Sequence, residues 1–314
     1  MFTAGRVKVR VAACVVAVAL PLLAPARASA QAAPPRALTV TVTDKKGGLV
    51  TGLPRESFTV LDGGRPSEIL SFASGDMPAT VGVLLDVSGS FNPTRVGLVR
   101  EALKRFLRGS HPSDEFFLIA FNYSPQLIQG RTDDPVAVLD TLDRYAAVQP
   151  KGMTALYDAL YLALNEAARG RHAKRAVVLV TDGQDNVSHY KFAELRRQLR
   201  ESDVTVYAVG IINYYGDSVL DYGGRATLEE LAALSGGRVF FPTTTKELNS
   251  AFEDLAQELR NQYVIGFAPA ADAKNDGWHE VRVKLNEVRD GGGKKVKVVP
   301  RFRAGFYDVP PRRR

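Results

Sequence analysis

Three small oxygen-bearing residues, Asp86, Ser88 and Ser90, recur at alternate positions directly after the apolar run Val81-Gly-Val-Leu-Leu85. Such a run reads as a strand covered on both faces. One carboxylate and two hydroxyls at its end allow two readings. Asp, Ser and Gly form turns, and a loop of them can simply cap the following helix. The same residues are also hard oxygen donors of the kind that hold a divalent cation.

Two further segments carry the same chemistry. Gly152-Met153-Thr154 opens an amphipathic stretch running to Ala168, and Thr181-Asp182-Gly183 follows the apolar run Ala176–Val180. Strands are predicted at 81–86, 115–121, 126–129, 176–180, 204–211 and 239–241. Helices are predicted at about 93–107, 135–147, 154–168, 192–200, 227–234 and 246–261. That alternation implies a doubly wound, largely parallel sheet with helices on both faces. Loops at the carboxyl ends of such strands converge on one crevice. Asp86, Ser88, Ser90, Thr154 and Asp182 are therefore expected to meet there, supplying two carboxylates and three hydroxyls.

In order and grouping, these five residues resemble the metal-ion-dependent adhesion site (MIDAS) of von Willebrand factor A (VWA) domains: Asp-x-Ser-x-Ser, a Gly-x-Thr threonine, then Thr-Asp-Gly. Met153, beside the threonine, departs from the commonest pattern without touching a ligand position. The segments Val42-Thr-Asp, Phe58-Thr-Val-Leu-Asp-Gly-Gly, Tyr263-Val-Ile-Gly-Phe and Arg303-Ala-Gly-Phe-Tyr307 extend the resemblance. They are similar to secreted bacterial proteins of the VWFA-related acidobacterial type. The resemblance implies Mg2+ as cofactor, with Ca2+ or Mn2+ as alternatives. It also implies a protein partner whose exposed acidic residue completes the metal's coordination.

The formal net charge of +7 says little about partners. Arg6, Lys8, Arg10 and Arg27 lie in the first thirty residues, which hold no acid, and Arg312, Arg313 and Arg314 end the chain. What remains is close to neutral, so no basic face points to nucleic acid. Residues 1–30 pattern as an export signal: a basic start, an apolar run from Val11 to Ala24, and Ala28-Ser29-Ala30 as cleavage site. The run is shorter than a spanning helix needs and contains Pro21, so no membrane span is expected in the mature chain. A periplasmic or secreted location follows. Cys14, within that segment, is the only cysteine, so thiolate chemistry and disulfides are excluded from the mature chain.

Domain boundaries are expected as a linker at 31–36, a β segment at 37–75, a VWA domain at 79–260, a second β segment at 262–308 and a basic tail at 309–314. In the first segment, strands at 58–61 and 69–72 flank Asp62-Gly63-Gly64 and read as a hairpin. Strands at 263–267, 279–285 and 295–303 are expected in the second. Alternation in both segments suggests that they pair into one small β module.

A hydrolase would require a base. His111, His172 and His279 are expected to be solvated, whereas His189 follows the Thr181-Asp182-Gly183 loop and could approach the site. None lies in a Gly-x-Ser-x-Gly or zinc-binding context, and the reading is of a binding module rather than an enzyme. A metal-dependent hydrolase and a structural envelope protein are the alternatives. Residues 212–224, with Tyr214, Tyr215 and Tyr222 among Gly and Asp, read as a loop that could form the partner-binding rim.

Overall fold

The computed structural model describes residues 35–89, 93–145, 152–211, 219–270, 277–289 and 295–307. Four strands come first: β1 (Arg36–Asp44), β2 (Phe58–Asp62), β3 (Arg65–Ser67) and β4 (Ile69–Ala73). The α/β block begins with β5 (Ala79–Asp86), α1 (Pro93–Arg108), β6 (Glu115–Phe121), β7 (Pro125–Thr132), α2 (Pro135–Tyr145) and α3 (Leu156–Ala168). It continues through β8 (Lys174–Thr181), α4 (Phe192–Glu201), β9 (Thr205–Gly210), α5 (Val219–Ser235), β10 (Val239–Phe240) and α6 (Thr245–Arg260). The chain then returns to β structure with β11 (Tyr263–Phe267), β12 (Trp278–Leu285), β13 (Val288–Arg289), β14 (Lys295–Val296), β15 (Val298–Arg301) and β16 (Gly305–Tyr307).

Six strands of the block form one sheet in the order β10-β9-β8-β5-β6-β7, parallel except for β7 at the edge. The central strands are almost wholly buried, as their continuous apolar runs require. Side chains of α1, α2 and α6 pack on one face, around Leu103, Phe106, Phe252 and Leu255. Those of α3, α4 and α5 pack on the other, around Leu160, Leu195 and Leu231. Strand β5 pairs with β6 on one side and β8 on the other, so the order reverses between β5 and β8. An open α/β sheet forms its crevice at such a reversal, because successive connections leave for opposite faces.

The flanking segments build two further four-stranded sheets, each mixing strands from both ends of the chain: β15-β1-β11-β4 and β16-β12-β2-β3. Their inner faces share a core containing Leu38, Val40, Phe58, Val60, Tyr263, Ile265 and Val283. Several details differ from the sequence expectations. Strand β2 does turn back at Gly63-Gly64, but onto β3, while β4 crosses to pair with β11 in the other sheet. The stretch expected as one strand at 295–303 divides into β14 and β15. Helix α5 begins at Val219 instead of Thr227, so Tyr222 lies on a helix. His279 is buried, with Nδ1 2.9 Å from Asp62 Oδ2 and its ring stacked 4.5 Å from that of Phe306, so the expectation of a solvated residue is wrong. The predicted continuation of α2 to residue 147 lies outside the described residues.

The module and the block meet through a buried polar network. Glu258, near the end of α6, accepts hydrogen bonds from Tyr207 Oη (2.7 Å) and Thr41 Oγ1 (3.3 Å) and pairs with Arg301. Gln262 Nε2 donates to Tyr207 Oη (2.9 Å) and Thr41 Oγ1 (3.3 Å). Burial pushes the Tyr207 hydroxyl up to about 12, so it serves as a neutral donor. Glu258 is 2% exposed, and removing its carboxylate strands Arg301. Glu258→Ala should cost about 3–5 kcal/mol in denaturant unfolding, while Glu258→Met with Arg301→Met should recover much of that loss.

Lys174, buried at the start of β8, donates to Leu259 O (2.7 Å) at the end of α6. Burial brings its pKa down to about 8, against the opposing pull of Asp114 and Asp76. Between about pH 8 and the ordinary value of 10.5, the unfolded chain therefore holds a proton that the folded chain has lost. Stability should rise with pH across that window. Denaturation midpoints measured from pH 7.5 to 10.5 should show the rise in wild type and a flatter profile in Lys174→Met.

Candidate functional site

Asp86 ends β5 beside the carboxyl end of β8, since Leu85 pairs with Val180 in parallel register. Its side chain is 2% exposed. Oδ1 accepts from the Ser88 backbone N–H (2.9 Å) and Oδ2 from the Thr181 hydroxyl (2.6 Å). Thr181 Oγ1 in turn accepts from the Gly183 N–H (3.1 Å), which leaves the hydroxyl proton for Asp86. Behind the carboxylate is a small cavity of about 30 Å³ walled by Val99, Leu103, Leu142 and Val180. Burial raises the Asp86 pKa to about 6, the bonds from Ser88 and Thr181 hold it down, and the nearby Asp182 charge adds to the rise.

The other loops are tied to this one through backbone. Gly89 N donates to Gly152 O (3.1 Å), joining the Asp86 loop to the Thr154 loop. Thr154 N donates to Asn186 Oδ1 (2.8 Å), and Asn186 N returns a bond to Thr154 O (3.0 Å). Thr154 and Asp182 are both buried, at 4% and 8% exposure. Asp182 Oδ1 accepts from Gln184 N (3.0 Å). Gly183 has φ +84°, and a Cβ there would fall 2.3 Å from Gly224 O. Only glycine permits this approach, which sets the first turns of α5 against the Asp182 loop.

Helix α3 has no side-chain cap of its own at Ala155. Its first turn is satisfied from the loop after β8: Tyr157 N donates to Asp185 Oδ1 (3.2 Å) and Asp158 N to Ser188 Oγ (3.1 Å). Ser188 Oγ donates to Asp185 Oδ1 (2.5 Å). Thr181, Asp185, Asn186 and Ser188 thus position the site without being named as site residues from sequence. Thr181 sits inside the Thr-Asp-Gly segment, so its place beside Asp182 was the available signal; the other three carried none.

Ser88, Thr154 and Asp182 thus reach the reversal point with Asp86, whereas Ser90, Tyr214 and Tyr215 lie outside the described residues. Tyr222 is 65% exposed on α5, two residues before Gly224. Tyr123 (56% exposed) covers Gly152, and Met153 is 41% exposed beside it. His189 donates its backbone N–H to Asp158 Oδ2 (3.1 Å), and its ring Nδ1 lies 2.9 Å from the same oxygen. The donor set at the crevice is all oxygen, two carboxylates with hydroxyls, and one carboxylate is desolvated. That composition fits a hard divalent cation.

An open, mostly parallel sheet with such a cluster at its reversal point places the chain among doubly wound α/β domains whose site lies on the carboxyl edge. The chain belongs to the von Willebrand factor type A domain family, whose profile matches residues 81–258, more than half of its length. It is similar to human inter-alpha-trypsin inhibitor heavy chain H4, at 25% identity over 59% of this chain and 20% of that protein. It is also similar to the UPF0353 protein ML1808 of Mycobacterium leprae, at 25% identity over 61% of this chain and 64% of that protein. The chain therefore matches about a fifth of the heavy chain's length and less than two thirds of the mycobacterial protein's. Among solved structures, the von Willebrand factor type A protein from Catenulispora acidiphila aligns with a TM-score of 0.48 at 14% identity, over 89% of this chain and 76% of that one.

A desolvated carboxylate with no cation beside it weakens the fold that carries it. Asp86→Asn should therefore raise the stability of chelator-treated protein at pH 7.5 by about 1–2 kcal/mol, measured by thermal or denaturant unfolding.

Proposed function

We propose that this chain is an exported protein-binding module that recognises an acidic partner through a divalent cation, most simply Mg2+, with Ca2+ or Mn2+ as alternatives. The observation that carries this reading is the buried Asp86 carboxylate at the reversal point, bonded to the Thr181 hydroxyl beside Asp182, with its loop tied to that of Thr154 by the Gly89–Gly152 backbone bond. Asp86 and Asp182 would supply the negative charge, and Ser88, Ser90 and Thr154 the hydroxyl oxygens. The cation would offer an open coordination position to a partner's carboxylate. Thr181 and the Ser88 N–H would hold Asp86 in place meanwhile. VWA domains are commonly protein-interaction modules, which agrees with this reading. Export rests on the pattern of residues 1–30. Among the described residues, no helix is long and apolar enough to cross a membrane.

A binding role fits the histidines better than a hydrolytic one. His189 is bonded to Asp158, His279 to Asp62, His111 Nδ1 accepts from Ser113 N, and His172 Nε2 lies 2.9 Å from Ser113 O. Each ring is thus engaged by a carboxylate or by backbone. The exposed side chains of Tyr222, Tyr123 and Met153, with Tyr214 and Tyr215, would form the rim that the partner touches.

At a few millimolar, Mg2+ should stabilise wild type by about 1–2 kcal/mol, as expected for a weak oxygen site. Asp86→Ala should not respond. Equal melting temperatures for wild type in EDTA and in saturating Mg2+, Mn2+ and Ca2+ would overturn the metal assignment. Capture of a partner from envelope extract should disappear in EDTA. Tyr222→Ala should weaken that capture several-fold while leaving metal affinity unchanged, as for an exposed contact residue.

A further inference from the structure

Helix α3 and the loop after β8 meet a second time beyond the Asp86 cluster, through aromatic rings. Asp158 is buried in the first turn of α3. Its Oδ1 accepts from Tyr190 N (3.0 Å) and its Oδ2 from His189 N (3.1 Å). These bonds set the backbone of residues 189 and 190 against the helix. Side chains three apart on a helix share a face, so Tyr161 is the group that the Tyr190 ring then meets. The two ring centres are 3.8 Å apart, with an interplanar angle of 10°. One turn back, Tyr157 faces Phe192 at 5.4 Å.

The stack of Tyr161 on Tyr190 differs from the other ring contacts. Aromatic pairs favour offset or edge-to-face arrangements with centroids roughly 4.5–7 Å apart. Every other ring pair among the described residues is 4.5 Å or more apart. This closer, nearly parallel pair is held by the backbone bonds to Asp158 more than by ring preference. Its ring carbons are in van der Waals contact, and its hydroxyls lie close enough to interact. Tyr190 is 38% exposed, so a dissolved oxidant can reach the pair. Among the described residues, no other two tyrosine rings touch. Cys14 is the only cysteine, so no disulfide can form within the chain.

We propose that Tyr161 and Tyr190 form an oxidative cross-linking site, joined ring to ring by a one-electron oxidant such as a haem peroxidase using hydrogen peroxide. Each phenol gives one electron to the oxidant and its hydroxyl proton to water. The two phenoxyl radicals form a carbon–carbon bond between the ring positions ortho to oxygen. The hydrogen at each of those carbons then moves to the oxygen and restores the phenols. In sum two electrons and two protons leave the pair, and one hydrogen peroxide is reduced to two waters. Because the stack presents the radicals face to face, coupling within the chain outpaces coupling between chains. The bond ties the loop that carries Asp182 to the helix that follows Thr154.

The test treats the full chain, at low concentration, with a haem peroxidase and hydrogen peroxide. A parallel sample receives a photoactivated ruthenium tris-bipyridyl complex with persulfate, a small oxidant that needs no docking. The expected product is a monomer with dityrosine fluorescence, a mass lower by two hydrogens, and tryptic peptides 152–169 and 176–191 joined. Tyr161→Phe and Tyr190→Phe keep a ring in the stack but form no phenoxyl radical, and each should abolish that product. Tyr157→Phe, in the same peptide as Tyr161, should leave it unchanged. Linked wild type should melt about 5–10 °C above identically treated Tyr161→Phe, through closure of the intervening loop. Joined peptides under either oxidant bear the site out, and their absence under both overturns it. So does a joined product that survives Tyr161→Phe, or cross-linking that yields dimers alone. Equal melting of the linked chain and the treated variant overturns the tie between loop and helix.

Discussion

A carboxylate at the end of a fully buried central strand is the constraint around which the site is organised. Asp86 has apolar walls behind it, so its charge is stabilised only by what the neighbouring loops supply. The Ser88 N–H comes from its own loop and the Thr181 hydroxyl from the adjacent strand. Gly183 fixes the direction of that hydroxyl by donating to its oxygen. The hydrogen bonds from Ser88 and Thr181 offset part of the desolvation but not all of it, which is why the pKa stays raised. A cation held by the same loops would remove the remainder. Burial of the Asp86 carboxylate therefore costs the fold stability.

Parallel strand order decides where this happens. Because β5 has β6 on one side and β8 on the other, the chain leaves their carboxyl ends toward opposite helical layers. The gap between these exits is lined by loops instead of helix ends. The loop after β8 fills part of it by capping α3 with Asp185 and Ser188. Thr154, immediately before α3, is thereby held in register with Asp182. Position of the hydroxyl and capping of the helix are one event.

The β module adds a second organising contact. Helix α6 passes into β11 with only Asn261 and Gln262 between them, and Glu258 is bonded to residues from β9, β1 and β15. In a low-dielectric interior such a network is strong when complete and costly when broken. It makes the orientation of α6 depend on both ends of the chain at once. Arg303 extends the same junction to α4 through Ser202 O.

Local pattern alone determined the class of the fold and the identity of the oxygen donors. Strands buried on both faces must be continuous apolar runs, and helices packed on one face must be amphipathic, so the alternation from Val81 to Asn261 was readable from neighbours in sequence. Asp86, Ser88, Thr154 and Asp182 were nameable because strand ends in such a sheet share an edge. Other features were settled only by contacts between residues far apart in the chain. His279 is buried because Asp62, on the paired strand β2, accepts its ring proton. Strand β4 leaves the expected hairpin because β11 offers it an open edge. Helix α5 starts early, through Tyr222 and two glycines, where local propensity favours a loop, and Gly224 there packs against Asp182 and Gly183. Arg303 lies within a segment that reads as a strand, yet it is bonded to carbonyls at residues 37 and 202. Periodicity reports which face a residue occupies but not which distant group will meet it there, and hydrogen bonds across 100 to 270 positions leave no trace in the local pattern.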